Sequence, residues 1–216
     1  CLIKKRVNNR TIHYGFVSTG NLNERTALVY GDTCLLTSDR NIMADVNRIF
    51  NYLEHPKTRV HFLRICKTLM VSPTGMRKQL MQLINKEIKN ARQKKPAAIT
   101  LKLNSLSDEL LIDKLYEAAK AGVEINMVVR GIFCLPTEHK KFKIPIQAIS
   151  IVDEYLEHSR IMIFHNGGKE KTFISSADWM VRNIDHRIEV ACPIFEKTIQ
   201  QEIKDKSIID TILSTS

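Results

Sequence analysis

The residues best suited to chemistry lie in Tyr155-Leu156-Glu157-His158-Ser159-Arg160, which runs into the apolar segment Ile161-Met162-Ile163-Phe164. Residues two apart on a strand share a face, so this spacing predicts that His158 and Arg160 point into one site. An imidazole there takes or gives a proton, and a guanidinium holds a phosphate through two parallel hydrogen bonds. A histidine beside a glutamate at a strand start is by itself more often structural. The segments C-terminal to this strand strengthen the functional reading: Asn166-Gly167-Gly168 makes a small-residue turn, and Phe173-Ile174-Ser175-Ser176-Ala177-Asp178-Trp179-Met180 leads to Arg182, Asn183 and Arg187.

Such residues need a scaffold. Two short strands, Cys1 to Arg6 and Thr11 to Val17, are predicted as a hairpin turning at Asn8-Asn9. A strand at Thr33 to Thr37 and a helix near Ile42 to Tyr52 come next, with Ile42, Val46, Ile49, Phe50 and Leu53 on one side, until Pro56 breaks the pattern. From about Thr58 strands and helices alternate. A strand at Thr68 to Val71 precedes a long helix from Thr74 to Gln93 that carries Met76, Leu80, Leu83, Ile84 and Ile88. A strand at Ala98 to Leu103 leads to a helix capped by Ser107 and ended by Gly122, then a buried strand at Glu124 to Val129. Strand, helix and strand in that order predict an α/β fold with an at least partly parallel sheet. Further strands are expected at Ile146 to Val152, Arg160 to Phe164, Lys171 to Ser175 and Arg187 to Val190, with a helix from about Glu196.

The 216 residues suffice for one large domain, or one domain and part of another. Hydrophobic residues at 44% and charged residues at 26% exclude a disordered or membrane-embedded chain. There is no apolar run long enough for a bilayer and no secretory signal, and five scattered cysteines suggest neither a metal pair nor a disulfide framework. Reduced, mostly buried thiols and a cytoplasmic location are expected. The formal charge of +10 favours polyanions as partners. The basic run from Arg77 to Lys95, with Glu87 its one acid, reads as a solvated helix face and not as a specific nucleic-acid helix.

The order of histidine, small-residue turn and later polar cluster with aspartate resembles one half of a phospholipase D-like site, although Arg160 stands where that superfamily normally has lysine. The likeness to bacterial-type polyphosphate kinases is more specific. Six segments occur in that family's order: Ser18-Thr19-Gly20-Asn21-Leu22-Asn23-Glu24, Tyr30-Gly31-Asp32, Leu101-Lys102-Leu103-Asn104-Ser105-Leu106, Val129-Arg130-Gly131, Leu156-Glu157-His158-Ser159-Arg160 and Ser176-Ala177-Asp178-Trp179-Met180.

The resemblance implies a phospholipase D-like mixed α/β sheet flanked by helices, with residues 1–57 the end of a first catalytic domain and 58–216 a second, complete one. It implies nucleotide contacts at Tyr30, Arg130 and His158, with His158 also an acid or base. The family's covalent histidine lies in a HisAlaLys motif just before a strand that looks like Cys1-Leu2-Ile3, so neither it nor the family's Mg2+ ligands have counterparts here. ATP or ADP and polyphosphate are the implied partners, in a full-length homo-oligomer, and this chain alone is expected to be inactive.

The residues are consistent with those roles: Tyr30 offers a face for a base, Arg130 a bidentate cation at a strand end, and Lys102, Arg160 and Arg182 a lining for a polyphosphate channel. Equally, Tyr30 fits a core or rim position, Lys102 a snorkelling surface position, and Arg182 an ion pair with Asp178 or Asp185. A phosphodiesterase using His158 directly, and a non-catalytic polyanion-binding module, are the alternative functions.

Overall fold

The structure, a computed structural model, describes residues 1–151 and 156–206. It opens on the hairpin β1 (Leu2–Val7) and β2 (Arg10–Ser18), turned by Asn8 and Asn9 at φ 47° and 59°. Two successive left-handed residues match the twist of the flanking strands, and asparagine tolerates that conformation. A helical turn at Thr26–Leu28, β3 (Tyr30–Gly31) and β4 (Cys34–Thr37) precede α1 (Arg40–Glu54), where the Asp39 carboxylate accepts from the Asn41 and Ile42 amides. Then come α2 (His61–Arg64), β5 (Met70–Val71), α3 (Met76–Arg92), β6 (Ala98–Leu103), α4 (Glu109–Ala121) and β7 (Glu124–Val129). The remainder is β8 (Gln147–Ile149), β9 (Leu156–Glu157), β10 (Arg160–Phe164), β11 (Lys171–Ser175), β12 (Val190–Ile194) and α5 (Lys197–Lys204).

Seven strands form one sheet in the order β5-β12-β11-β10-β6-β7-β8. The β6-β7-β8 part is parallel and the rest antiparallel, so the expected mixed α/β sheet is present. Apolar side chains line both faces. Met162, Phe164 and Phe173 join α3 and α4 in one core, while Ile161, Ile163, Ile174 and Ile194 join α1 and α5 in the other. Strands covered on both faces therefore read as continuous apolar runs. Residues on both sides of position 58 build the second core, since Val17, Ile42, Met43, Val46 and Ile49 pack against the β10, β11 and β12 side chains. Full burial of each such side chain stabilises by roughly 1.5–3 kcal/mol. No helix among the described residues is long and apolar enough to cross a membrane.

Several local expectations are corrected. Asp108, not Ser107, caps α4, its carboxylate accepting from the Leu111 amide at 3.0 Å. The same carboxylate receives two bonds from Arg77, at 2.7 and 2.6 Å, and Arg77 also holds Asp185 below the usual carboxylate range. Gly122, at φ 95°, ends α4 as expected, because a left-handed cap carries a steric penalty for a residue with a Cβ. The strand expected at Arg187 to Val190 begins only at Val190, because Arg182–His186 forms a helical turn closed by the Arg187 amide on the Arg182 carbonyl. Phe50 and Leu53 of α1 are exposed, and the buried face is instead completed by Met43 and Asp45. The thiols are not mostly buried: only Cys192 is, and Cys66 is half-buried. Burial pushes both of those thiols up to about 12, which leaves them poor nucleophiles at neutral pH. Val152 and Tyr155, the ends of two expected features, lie outside the described residues.

Glu87 is buried on α3, contrary to a wholly solvated basic face, and accepts the Asn166 amide at 2.5 Å. Burial pushes its carboxyl above the usual range, against that amide, which holds it down. A raised folded-state pKa means that stability is lost as pH rises from the ordinary carboxylate value through the folded one. Glu87→Gln is therefore expected to be more stable than the parent by about 1 kcal/mol near neutral pH, with the advantage vanishing in acid. Urea melts at the two pH values check this, and an advantage that grows on acidification would overturn it.

Candidate active site

The site is assembled by backbone first. β3 and β9 pair in parallel, Tyr30 with Leu156 and Gly31 with Glu157, and the amides of His158 and Ser159 both donate to the Gly31 carbonyl at 3.0 Å. This register sets the Tyr30 ring against the His158 imidazole, with centroids 4.7 Å apart and planes tilted by 41°. The loop after β2 arrives from the other side. There the Thr19 amide bonds the Thr33 carbonyl at 3.0 Å and the Thr19 hydroxyl donates to Asp32 Oδ1 at 2.8 Å. Gly20 lets this loop pass, since a Cβ on it would fall 1.8 Å from Asp32 Oδ2.

Four polar side chains then form a continuous chain. His158 Nδ1 lies 2.9 Å from Asp32 Oδ1, and His158 Nε2 lies 3.1 Å from Arg160 Nη2. A guanidinium only donates, so Nε2 accepts from it and the ring proton sits on Nδ1, donated to Asp32. Arg160 is buried; its Nη1 donates to the Thr19 carbonyl at 3.0 Å and the His158 carbonyl at 3.2 Å, and its Nη2 to Asp178 Oδ2 at 3.0 Å. Asp178 Oδ1 in turn accepts the Asn104 and Ser105 amides at 2.8 and 3.1 Å, which fixes it to the end of β6. The imidazole is thus oriented at both nitrogens, one on a carboxylate and one on a cation.

His158 and Arg160 do meet, as their spacing predicts, but Arg160 is not presented as an open phosphate fork. Its Nη groups are occupied by the protein, so what it can offer a ligand is its charge and the orientation it gives His158. Arg130, at the β7 end, donates from Nε to Asn104 Oδ1 at 3.2 Å, and Asn104 Nδ2 donates to the His158 carbonyl at 3.4 Å. The Arg130 Nη groups make no hydrogen bond among the described residues, leaving that end of the guanidinium for an anion. Lys102 differs from both readings of its sequence: it is buried, with Nζ 2.7 Å from Glu157 Oε2, and so ties β6 to β9 instead of lining an open surface. Arg182 is exposed on the turn before β12, and the acids that its sequence position offers are engaged elsewhere, Asp178 by Arg160 and Asp185 by Arg77.

Sequence reasoning left Asp32, Thr19, Asn104 and Glu157 without roles, although all four lie in the segments that carry the family resemblance. Asp32 had one usable signal, its position two residues after Tyr30. Among the described residues no group of three or more histidine, cysteine or acidic side chains could hold a metal ion.

Comparison with known proteins identifies the family. Residues 1–59 match polyphosphate kinase C-terminal domain 1, and residues 69–215 match polyphosphate kinase C-terminal domain 2. The chain is 46% identical to the polyphosphate kinase of Escherichia coli K12 over 213 residues, covering 99% of this chain and 30% of that protein. It is 44% identical to the Vibrio cholerae enzyme over 214 residues, covering 98% of this chain and 30% of the relative. The crystal structure of polyphosphate kinase from Porphyromonas gingivalis superposes with a TM-score of 0.83 at 42% identity, over 94% of this chain and 31% of that one. The chain thus spans about 30% of the length of the relatives it matches. With its domain matches, its sequence identity and its fold in agreement, this chain belongs to the polyphosphate kinase family.

Proposed function

We propose that this chain supplies the nucleotide- and phosphate-facing part of an enzyme that moves the terminal phosphate of ATP reversibly onto polyphosphate. The observation that carries this reading is the chain Asp32, His158, Arg160, Asp178, set beside the Tyr30 ring and linked through Asn104 to Arg130. The half-buried Tyr30 ring would stack an adenine, and Arg130 would offer its Nη groups to the phosphates. To act as acid or base, His158 Nε2 exchanges its bond from Arg160 for one to a bridging oxygen. It gives that oxygen a proton as its bond to phosphorus breaks and takes the proton back as the bond forms, while the Nδ1 proton stays donated to Asp32. The buried Arg160 charge favours the anionic transition state nearby.

The nucleophile in this reading is a histidine in another part of the full-length protein. Its ring nitrogen forms an N–P bond as the bond from the terminal phosphorus to the bridging oxygen breaks, and ADP leaves with the electron pair. Attack by a polyphosphate end then breaks the N–P bond and returns the pair to the imidazole. Magnesium, when bound, would neutralise phosphate charge, but the two carboxylates nearest His158 are both engaged by the protein. We therefore place its ligands outside this chain. The division into the end of one domain (1–57) and a second domain (58–216), a cytoplasmic location and a homo-oligomeric full-length enzyme belong to the same proposal.

ATP labelled on its terminal phosphate tests it. The full-length protein is expected to acquire a label that is lost in acid and stable in base, while this chain alone stays unlabelled and makes no polyphosphate. Turnover by the isolated chain, or an equally labile label on it, would sink the assignment of the nucleophile.

A further inference from the structure

At the far end of the sheet from His158 lies a cleft of about 960 Å³, bounded by α3, the turn between β10 and β11, the end of β12 and the start of α5. Arg160 pairs with Ser175 at one end of β10 and β11, and Phe164 with Lys171 at the other, so roughly 13 Å of strand separates the two places. Five lysines line the cleft: Lys67, Lys86, Lys169, Lys171 and Lys197. All five are exposed, and none forms an ion pair among the described residues. The acid among the lining residues, Glu170, is already held by Lys204. Uncompensated like charges facing one concavity repel each other, and the cheapest relief is a bound polyanion.

We infer that this cleft is a second binding site for condensed phosphate, separate from the site around His158. The class of ligand follows from the distribution of charge. Lysines come from the loop before β5, from α3, from the β10–β11 turn and from α5, so they form a spread row of point charges with no arginine fork to grip a single phosphate. A chain carrying a charge on every unit meets such a row along its length, whereas a nucleotide concentrates its charge in one short tail. Of the apolar members, Met70, Phe173 and Ile194 are buried core residues, Leu83 and Pro193 are half-buried, and Phe195 is exposed, so the lysines and not a continuous apolar floor supply most of the cleft's open charge-bearing surface. Holding a growing chain here, away from the reacting end, would raise its local concentration at the enzyme. Polyphosphate as the ligand rests on the proposed function; the anion site itself rests on the lysines.

The test uses the full-length protein carrying Lys86→Gln, Lys169→Gln and Lys171→Gln together, exposed positions whose loss should leave the fold intact. Equilibrium binding of labelled long-chain polyphosphate near physiological salt is expected to weaken about tenfold or more, as the loss of three contact-distance charges requires. The KM for ATP and the initial rate of synthesis should stay within about twofold, since the His158 site is untouched. Unchanged polyphosphate binding overturns the inference. ATP displacing the labelled polymer from the cleft as effectively as unlabelled polyphosphate does would overturn the choice of a chain ligand. Absence of ATP-dependent synthesis by the unmodified protein would instead count against the proposed function, and the binding comparison would still judge the cleft.

Discussion

His158→Ala in the full-length protein is expected to lower ATP-dependent polyphosphate synthesis by about 10²–10⁴-fold, the range over which a positioned acid–base group contributes. The substitution removes three things at once: the ring beside Tyr30, the acceptor for Arg160 Nη2, and the proton donor to Asp32. Folding should be little affected, because the imidazole is partly exposed and belongs to neither hydrophobic core. Two further variants separate the chemical group from its positioning. Asp32→Ala leaves the imidazole but frees its Nδ1, and a smaller loss of about tenfold is expected, mostly in kcat. Gly20→Ala should shift activity in the same direction, since its Cβ would displace the Asp32 carboxylate. If His158→Ala keeps its rate within a few-fold of the parent while remaining folded, the ring has no part in transfer, and the Asp32–His158–Arg160 chain is structural.

That chain marks where sequence reading reaches and where it stops. Strand and helix positions were legible because burial on both sheet faces writes long apolar runs, as in β6 and β7, whose expected and observed limits coincide. The pairing of His158 with Arg160 was legible for the same reason, a local spacing. The environment of each was not. Arg160 reads as an open phosphate clamp until the loop after β2 brings the Thr19 carbonyl onto its Nη1, across a separation of 141 residues. Lys102 reads as a surface cation until Glu157 arrives from β9 to neutralise it. Asp32 carries no local mark of its role, because its partner is 126 residues away. Periodicity reports which face of an element is buried, but not which distant polar group will meet it there. The same limit explains α1. Its apolar stripe suggested Phe50 and Leu53 as core, whereas the buried face includes an aspartate, Asp45, whose partners come from beyond α2.

Asp45 is the basis of the largest stability effect expected in this chain. Its residue surface is completely buried, and its Oδ2 accepts three backbone amides, from Lys67 at 3.0 Å, Thr68 at 2.7 Å and Leu69 at 3.0 Å, while Arg48 engages Oδ1. One carboxylate thereby ties α1 to the segment entering β5, at the edge of the seven-stranded sheet. Asp45→Ala strands the Leu69 amide in the core, leaves the other two to compete for water, and releases Arg48. Each buried donor left without an acceptor costs about 1–3 kcal/mol, and water reaching the outer two offsets part of the total. The expected loss is about 3–5 kcal/mol, a large fraction of the roughly 5–15 kcal/mol by which domains are usually stable. Asp45→Asn keeps one acceptor and should lose less. Urea unfolding measures the totals, and hydrogen exchange at the amides of residues 67–69 should show the local loss first. Cys66 gives an independent reading. Its thiol is held up at about 12 chiefly by burial and then by the Asp45 charge, so Asp45→Ala lowers it only in part while burial persists. Faster alkylation of Cys66 at neutral pH, mapped apart from the already exposed Cys1, Cys34 and Cys134, would report local opening of the segment that Asp45 ties down. The consequence extends to the active site, because α1 and β2 share one core with β10, and the loops after β2 and before β10 carry Thr19 and His158. A variant that unfolds within about 1 kcal/mol of the parent would show that water replaces the carboxylate at little cost, and that packing alone holds α1 against the sheet.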